Sequence, residues 1–415
     1  MASRSRTATT RRRRVPGPGL TLQGWVTLAG GVAWSVVAWL TGQRDLMWPG
    51  IFLIALPLSG WLLLAAGAGR PDLARTVTPR EAAAGEEVVN RLVIDTDGFG
   101  LGAVASYHDE RSPALRGPAD ATFPVAFGPG RHRVDQRLTP AWRGRHRLGP
   151  LHRSVVDALG LARSGRVLPG TIEVLALPAV HPLEPLREAS GLGTAMDSAV
   201  LRTSLVGQDD VMVREYLPGD DVRRIHWRST ARTGELMVRR EERAWDPSAA
   251  LLLDNRAGAF SSAVPERRFE WLVSAAASIS VHLLGHGFSV SVMDTDAAGA
   301  DAANRQSQSA RTILRRLAAV ELSHTGDLAR AVAASPTGVR GQLLIALLGR
   351  LDVADAGLLA EARRDHRSCW AVLQQPAEPA PDALRLLEAA GWRCLVLPPG
   401  ATVPEAWQAL GEVTA

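Results

Sequence analysis

Asp254 closes the first of five apolar, strand-like runs in the C-terminal half of the chain, and Asp294 closes the second. Ligands of open parallel sheets bind at the carboxyl ends of the strands. Asp254 therefore stands where a ligand could dock; the plainer reading is a strand-end Asp capping its own loop. His282 and His286 stand four apart in HLLGH. Zinc-protease chemistry needs a Glu after the first His, so they read as a surface or half-buried pair. His226 with Asp220 or Asp221 has the residue types of a general acid–base pair, but nothing around it suggests a substrate pocket. Gly98, Gly100 and Gly102 follow a strand and precede no helix, which makes a hairpin turn and not a nucleotide loop. No Gly-x-Ser-x-Gly elbow occurs. All 47 basic residues are Arg, which removes Walker-type phosphate loops and Schiff-base chemistry. The two cysteines, Cys369 and Cys394, lie in separate apolar runs and read as buried, reduced thiols. A binding protein without catalytic residues or cofactor is the expectation.

The densest charge lies in Val213 to Glu242, VREYLPGDDVRRIHWRSTARTGELMVRREE. Pro218-Gly219 signals a turn, and Asp220 or Asp221 can cap a helix from Val222 to about Arg232. Gly234 stops it, and Leu236-Met237-Val238 starts a strand. Arg224, Arg228 and Arg232 then share one helix face, with Trp227 as a platform for neighbouring guanidinium groups. Two readings stay open: a solvated helix paired to Glu215, Asp220 and Glu241, or a recognition surface.

The elements that must position these groups follow from hydropathy. No charge occurs between Arg14 and Arg44, and a second uncharged run goes from Leu46 to Gly69. Each is about the 20 residues that a crossing needs, so residues 20–69 are expected to form a two-helix membrane hairpin behind a basic head, residues 1–19. A cleaved signal would have a shorter apolar stretch and no second run. Arginines flank both outer ends, which places both termini in the cytoplasm by the positive-inside rule. Residues 75–180 alternate short apolar runs with Gly and Pro turns, as in an all-β sandwich of about seven strands. Residues 181–247 hold the charged segment. Residues 248–415 read as a doubly wound α/β domain: strands Ala249–Leu253, Phe288–Met293, Gln342–Leu348, Cys369–Leu373 and Arg393–Leu397, with helices at 265–284, 306–321, 353–364 and 382–390 between them. The net charge is only +5, and the Arg131–Arg147 cluster has a single aromatic, Trp142. Lipid headgroups or an acidic protein fit it better than nucleic acid.

The charged segment resembles the signature of domain-of-unknown-function family 58, in Arg214, Glu215, Tyr216, Pro218, Gly219, Asp220, Arg223, Arg224, Ile225, Trp227, Ala231, Arg232, Leu236 and Val238. RGRHRLGPLHRSVVDALGL, Arg143 to Leu161, resembles that family's β-domain. The resemblance implies a von Willebrand A-like α/β domain and a membrane-anchored partner of MoxR-type AAA+ ATPases, found with transglutaminase-like membrane proteins. The charged segment is the expected contact surface, with partner contacts at Arg214, Glu215, Tyr216, Asp220, Arg223, Arg224, Trp227, Arg228 and Arg232. Von Willebrand A domains often hold Mg²⁺ through Asp-x-Ser-x-Ser, so the resemblance makes Asp254, with Asn255 beside it, the candidate Mg²⁺ position. Here Arg256 and Gly258 stand at the Ser positions, and an Arg there can fill the site with its own charge.

Overall fold

The computed structural model describes residues 17–67, 71–98, 103–124, 128–186, 213–215, 225, 227–239, 248–260, 265–296, 309–333, 343–363, 368–374, 381–398 and 400–412. The chain divides into two compact units, Met1–Leu177 and Pro178–Ala415.

The first unit opens with a short strand, β1 (Gly19–Leu20), and two helices, α1 (Leu22–Leu40) and α2 (Met47–Gly67). Thr21 caps α1 by accepting from the Gly24 amide at 3.1 Å. The helices meet backbone to backbone: a Cβ on Gly50 would fall 2.2 Å from Ser35 Oγ. Among the described residues one helical stretch, Arg44–Ala66, is long and apolar enough to cross a membrane, with a mean hydropathy of 1.9. The expected second crossing is therefore corrected. Absence of charge does not suffice; a span needs apolar side chains throughout. In α1, Gln23, Thr27, Ser35, three Trp and three Gly dilute the Val and Leu content. The orientation expected from two crossings lapses with the second one.

A β-rich region follows. One sheet is antiparallel, in the order β2 (Asp72–Thr78), β4 (Val88–Gly98), β8 (Gly128–Pro140), β6 (Leu115–Arg116). The other centres on β9 (Gly144–Val156). That strand pairs with β5 (Val104–Arg111), β10 (Ala162–Leu168) and β11 (Ile172–Leu177), while β7 (Asp120–Pro124), β1 and β3 (Glu81–Ala83) extend the sheet. The two sheets share an interior in two apolar clusters, one around Leu92, Ile94, Tyr107 and Leu151, the other around Val77, Val88, Leu138 and Leu148. Between them the inward positions turn polar. Arg75 contacts Asp109 at 2.6 Å, and Asn90 donates to both Asp109 and Gln136 at 2.9 Å. The period-two alternation explains the strands; the polar belt breaks its usual content. On the outer face the Arg131–Arg147 region is matched by acids: Arg131 pairs with Asp95, Arg133 with Asp135 and Arg137 with Glu87.

The second unit contains a small antiparallel pair, β12 (Val213–Glu215) and β13 (Met237–Arg239), with helix α3 (Trp227–Thr233) between them in sequence. Its body is an all-parallel sheet of β14 (Ser248–Leu253), β15 (Ser289–Asp294), β16 (Leu343–Leu348), β17 (Ser368–Leu373) and β18 (Arg393–Val396), in the order β15-β14-β16-β17-β18. Alternate strand residues feed opposite faces. Leu251, Leu253 and Ile345 pack with helices α4 (Pro265–Gly285), α5 (Ala310–Ala319) and α9 (Val403–Glu412). Leu252, Leu344 and Ala346 pack with α6 (Leu328–Ala333), α7 (Val353–Ala362) and α8 (Pro381–Ala389). The expected strands and helices are present to within a few residues. The expected von Willebrand A-like fold is corrected: what stands here is this five-stranded parallel sheet, whose first strand-end loop carries an ion pair in place of seryl ligands.

Cys369 and Cys394 sit on neighbouring strands, and burial pushes both thiols up to about 12. In the native protein, thiol titration with a disulfide reagent should therefore give essentially no fast reaction, with both groups appearing only on denaturation. A fast native equivalent would contradict the packing of β17 against β18.

Candidate functional site

Strand β14 delivers Asp254, Asn255 and Arg256 to the carboxyl edge of the sheet, where the chain winds off in opposite directions towards β15 and β16. Asp254 is fully buried. Its Oδ1 accepts from the Arg256 amide at 3.1 Å and from Nε at 2.9 Å; its Oδ2 accepts from Nη2 at 3.0 Å. The other edge of the same guanidinium meets Asp355, the third residue of α7, with two contacts of 3.0 Å. Burial opposes the charge on Arg256, but bonds to Asp254 and Asp355 outweigh it and hold the guanidinium more firmly protonated than usual. Arg256 thus stands where a cation was weighed for Asp254. Among the described residues no three His, Cys, Asp or Glu side chains converge as a metal group.

Asn255 ties the adjoining loops. Its Oδ1 accepts from the Thr295 amide at 2.9 Å, and its Nδ2 donates to Asp296 at 3.1 Å and to the Glu321 carbonyl at 3.0 Å. Ser323 donates to Asp296, and Arg316 donates to Asp294 at 3.1 Å. Gly326 presses in closely enough that a Cβ would fall 2.3 Å from Thr295 Oγ1. The acids on this edge are engaged by groups of the chain itself.

The charged segment is different. Helix α3 ends at Gly234, whose φ of +81° suits glycine. Thr230 Oγ1 accepts from the Met237 amide at 3.0 Å, tying the helix to β13. Trp227 is 69% exposed, and Arg228 and Arg232 are exposed one turn apart. Among the described residues no hydrogen bond or ion pair engages either guanidinium. Arg214 and Glu215 lie in β12. Tyr216, Asp220, Arg223 and Arg224 lie outside the described residues, as do Asp221, His226 and the expected helix start at Val222.

Residues 212–353 match the family model described as "Protein of unknown function DUF58". The chain carries a DUF58 region. That region takes in α3, β12–β16 and the Asp254–Arg256 loop, so both places just described fall inside it, Asp355 alone standing two residues beyond. No curated protein matches the chain. Among solved structures, similarity is found to WR4, an MSP family member of C. elegans (11% identity, 25% of this chain, 96% of that one, TM-score 0.16). It is also found to a non-cellulosomal cohesin of Archaeoglobus fulgidus (10% identity, 24% and 92%, TM-score 0.16). A third is the Pseudomonas fluorescens alkylpurine DNA glycosylase AlkC bound to DNA (14% identity, 35% and 42%, TM-score 0.15). Likenesses of this size carry no argument about the DUF58 region.

Asp355 is the partner that the sequence does not reveal. It lies 99 residues from Arg256 and looks like an ordinary first-turn acid behind the Asp352 cap.

Proposed function

We propose that this chain is a membrane-attached binding protein whose α3 module docks an acidic surface on a partner. The observation that carries the reading is Trp227, 69% exposed, beside two exposed guanidinium groups on one short helix. Trp and Arg dominate the energetics of protein interfaces, and a solvated helix has no use for an exposed indole. The strand-end acids support binding over catalysis, since Arg256 and Arg316 occupy them. Attachment runs through the Arg44–Ala66 helix. The partner proposed is a MoxR-type AAA+ ATPase, with a transglutaminase-like membrane protein as a further member of the system; both come from the family resemblance. The process served is assembly or maturation of other proteins.

The test is capture of the purified ATPase by full-length protein in detergent. A Trp227→Ala, Arg228→Ala, Arg232→Ala variant should bind at least about tenfold more weakly, since losing one such anchor commonly costs more than 1 kcal/mol. Equal capture by variant and parent removes this surface from the reading.

A further inference from the structure

The turn between β9 and β10, residues 157–161, packs against both helices of the first unit. Thr21, the cap of α1, donates through its amide to the Leu161 carbonyl at 2.9 Å and through its hydroxyl to the Gly160 carbonyl at 2.6 Å. Gly24 lies so close that an added Cβ would strike the Leu161 carbonyl oxygen. On α2, a Cβ on Gly60 would fall 3.0 Å from Asp157 Oδ2 and 3.7 Å from the Ala162 side chain. Leu64, one turn later, is buried in the sandwich interior with Leu151 and Ala162.

This packing fixes the depth of the turn. On the membrane-attached reading proposed above, on which this inference rests, α2 crosses the bilayer with Arg44 and Asp45 at one surface. From Asp45 to Gly60 the helix rises about 23 Å. The hydrocarbon core is about 30 Å thick. The opposite boundary therefore falls beyond Gly60, and the turn resting on Gly60 lies at headgroup level. The side chains there suit that level. Leu159, at the tip, is 55% exposed, and Trp61 beside Gly60 and Trp25 beside Gly24 are exposed as well. Exposed indoles, apolar with one polar N–H, belong at membrane–water interfaces. The Asp157 carboxylate is engaged by its own turn, Oδ1 accepting from the Ala162 amide at 2.7 Å. Arg163, exposed on β10 opposite Gly19 of β1, supplies positive charge.

We propose that the β9–β10 turn is a second membrane contact. Leu159 enters the bilayer surface, Trp25 and Trp61 lie in the headgroup layer, and Arg163 binds the phosphates of anionic phospholipid. The sandwich is thereby held against the lipid and does not swing from a single helix. Lipid fits this patch better than a second copy of the chain, because the patch is continuous with the exposed apolar side chains of α2, Phe52 and Leu62 among them.

The test uses full-length protein reconstituted into vesicles of phosphatidylcholine with or without phosphatidylglycerol. The burial that raises both native thiols keeps them from labelling. An environment-sensitive fluorophore is placed on Leu159→Cys and, as the aqueous control, on Glu173→Cys. Glu173 stands opposite Arg147, about 30 Å along β9 from the turn. The Leu159 probe should emit further to the blue, be quenched by spin-labelled lipid and be shielded from iodide; the Glu173 probe should do the reverse. With phosphatidylglycerol present, Arg163→Gln should move the Leu159 probe about fivefold towards its water-exposed population, the worth of one Arg at an anionic surface. An unmoved probe strikes Arg163 from the contact. Retention by the vesicles through an alkaline carbonate wash reports the crossing helix separately. Retained protein whose Leu159 probe stays open to iodide overturns the turn contact and leaves the attachment standing; protein washed off the vesicles overturns both. A blue-shifted Leu159 probe that spin-labelled lipid fails to quench assigns the patch to a protein contact and overturns the proposal.

Discussion

Arg256→Ala should lower the stability of the second unit by about 3–5 kcal/mol, the usual cost of leaving a buried charge without its partner. Two carboxylates lose one guanidinium: Asp254, fully buried, and Asp355, 13% exposed. Asp254 keeps two uncharged donors, the backbone amide of residue 256 at 3.1 Å and the Gly349 amide at 3.4 Å, and neither replaces the lost charge. In a unit of this size the loss corresponds to a fall of about 10 °C in its thermal transition. Arg256→Lys should recover only part of it, because one ammonium cannot offer a planar fork to two carboxylates on opposite edges. Asp355→Asn should cost less than Arg256→Ala, since it leaves Arg256 bidentate on Asp254. Calorimetry of the full-length variants checks the order; a loss below about 1 kcal/mol for Arg256→Ala would mean that water reaches the pair.

Parts of this arrangement are legible in the sequence for a physical reason. Strands β14 and β16 are continuous apolar runs, which only a sheet covered on both faces can use. The Gly234 stop and the strand at Met237 follow from local backbone preference. Helix α9 went unforeseen although its signal is present: Thr402 and Glu405 form a capping box, the Thr402 amide donating to Glu405 at 2.8 Å. Charge alone hides the weakness of α1, where Gln, Ser, Gly and Trp are uncharged yet weakly apolar. The site is less legible than the fold. The sequence allows Arg256 as an occupant of the cation position, but Asp355 and Asn255 act across loops whose meeting depends on strand order. The polar belt of the first unit was invisible for the same reason: Arg75, Asn90, Asp109 and Gln136 are unremarkable singly, and four strands must register before they meet.

That belt sets up the converse result. Asp109→Ala should cost the first unit about 3–5 kcal/mol by stranding Arg75, whose side chain is 4% exposed. Yet the pair itself is a poor stabiliser. Burial raises the Asp109 carboxyl above its ordinary range, against the lowering pull of Arg75, Asn90 and Arg111; at Arg256 the attraction wins instead. Two nitrogens of Arg75 and the Asn90 carbonyl oxygen remain buried without partners. Desolvation is thus only partly offset. The Arg75→Met, Asp109→Leu double variant should accordingly unfold within about 1 kcal/mol of the parent, or above it, giving a strongly non-additive cycle. The pH dependence has a defined sign. A carboxyl with a raised folded value binds more protons folded than unfolded, so its contribution is fullest below the ordinary carboxylate range and is lost as pH rises through the folded value. In urea titrations between pH 4 and 7, the parent should carry this falling component and the double variant should lack it. A double variant as unstable as Asp109→Ala would show that the belt holds the two sheets together by its ion pair and not by packing alone.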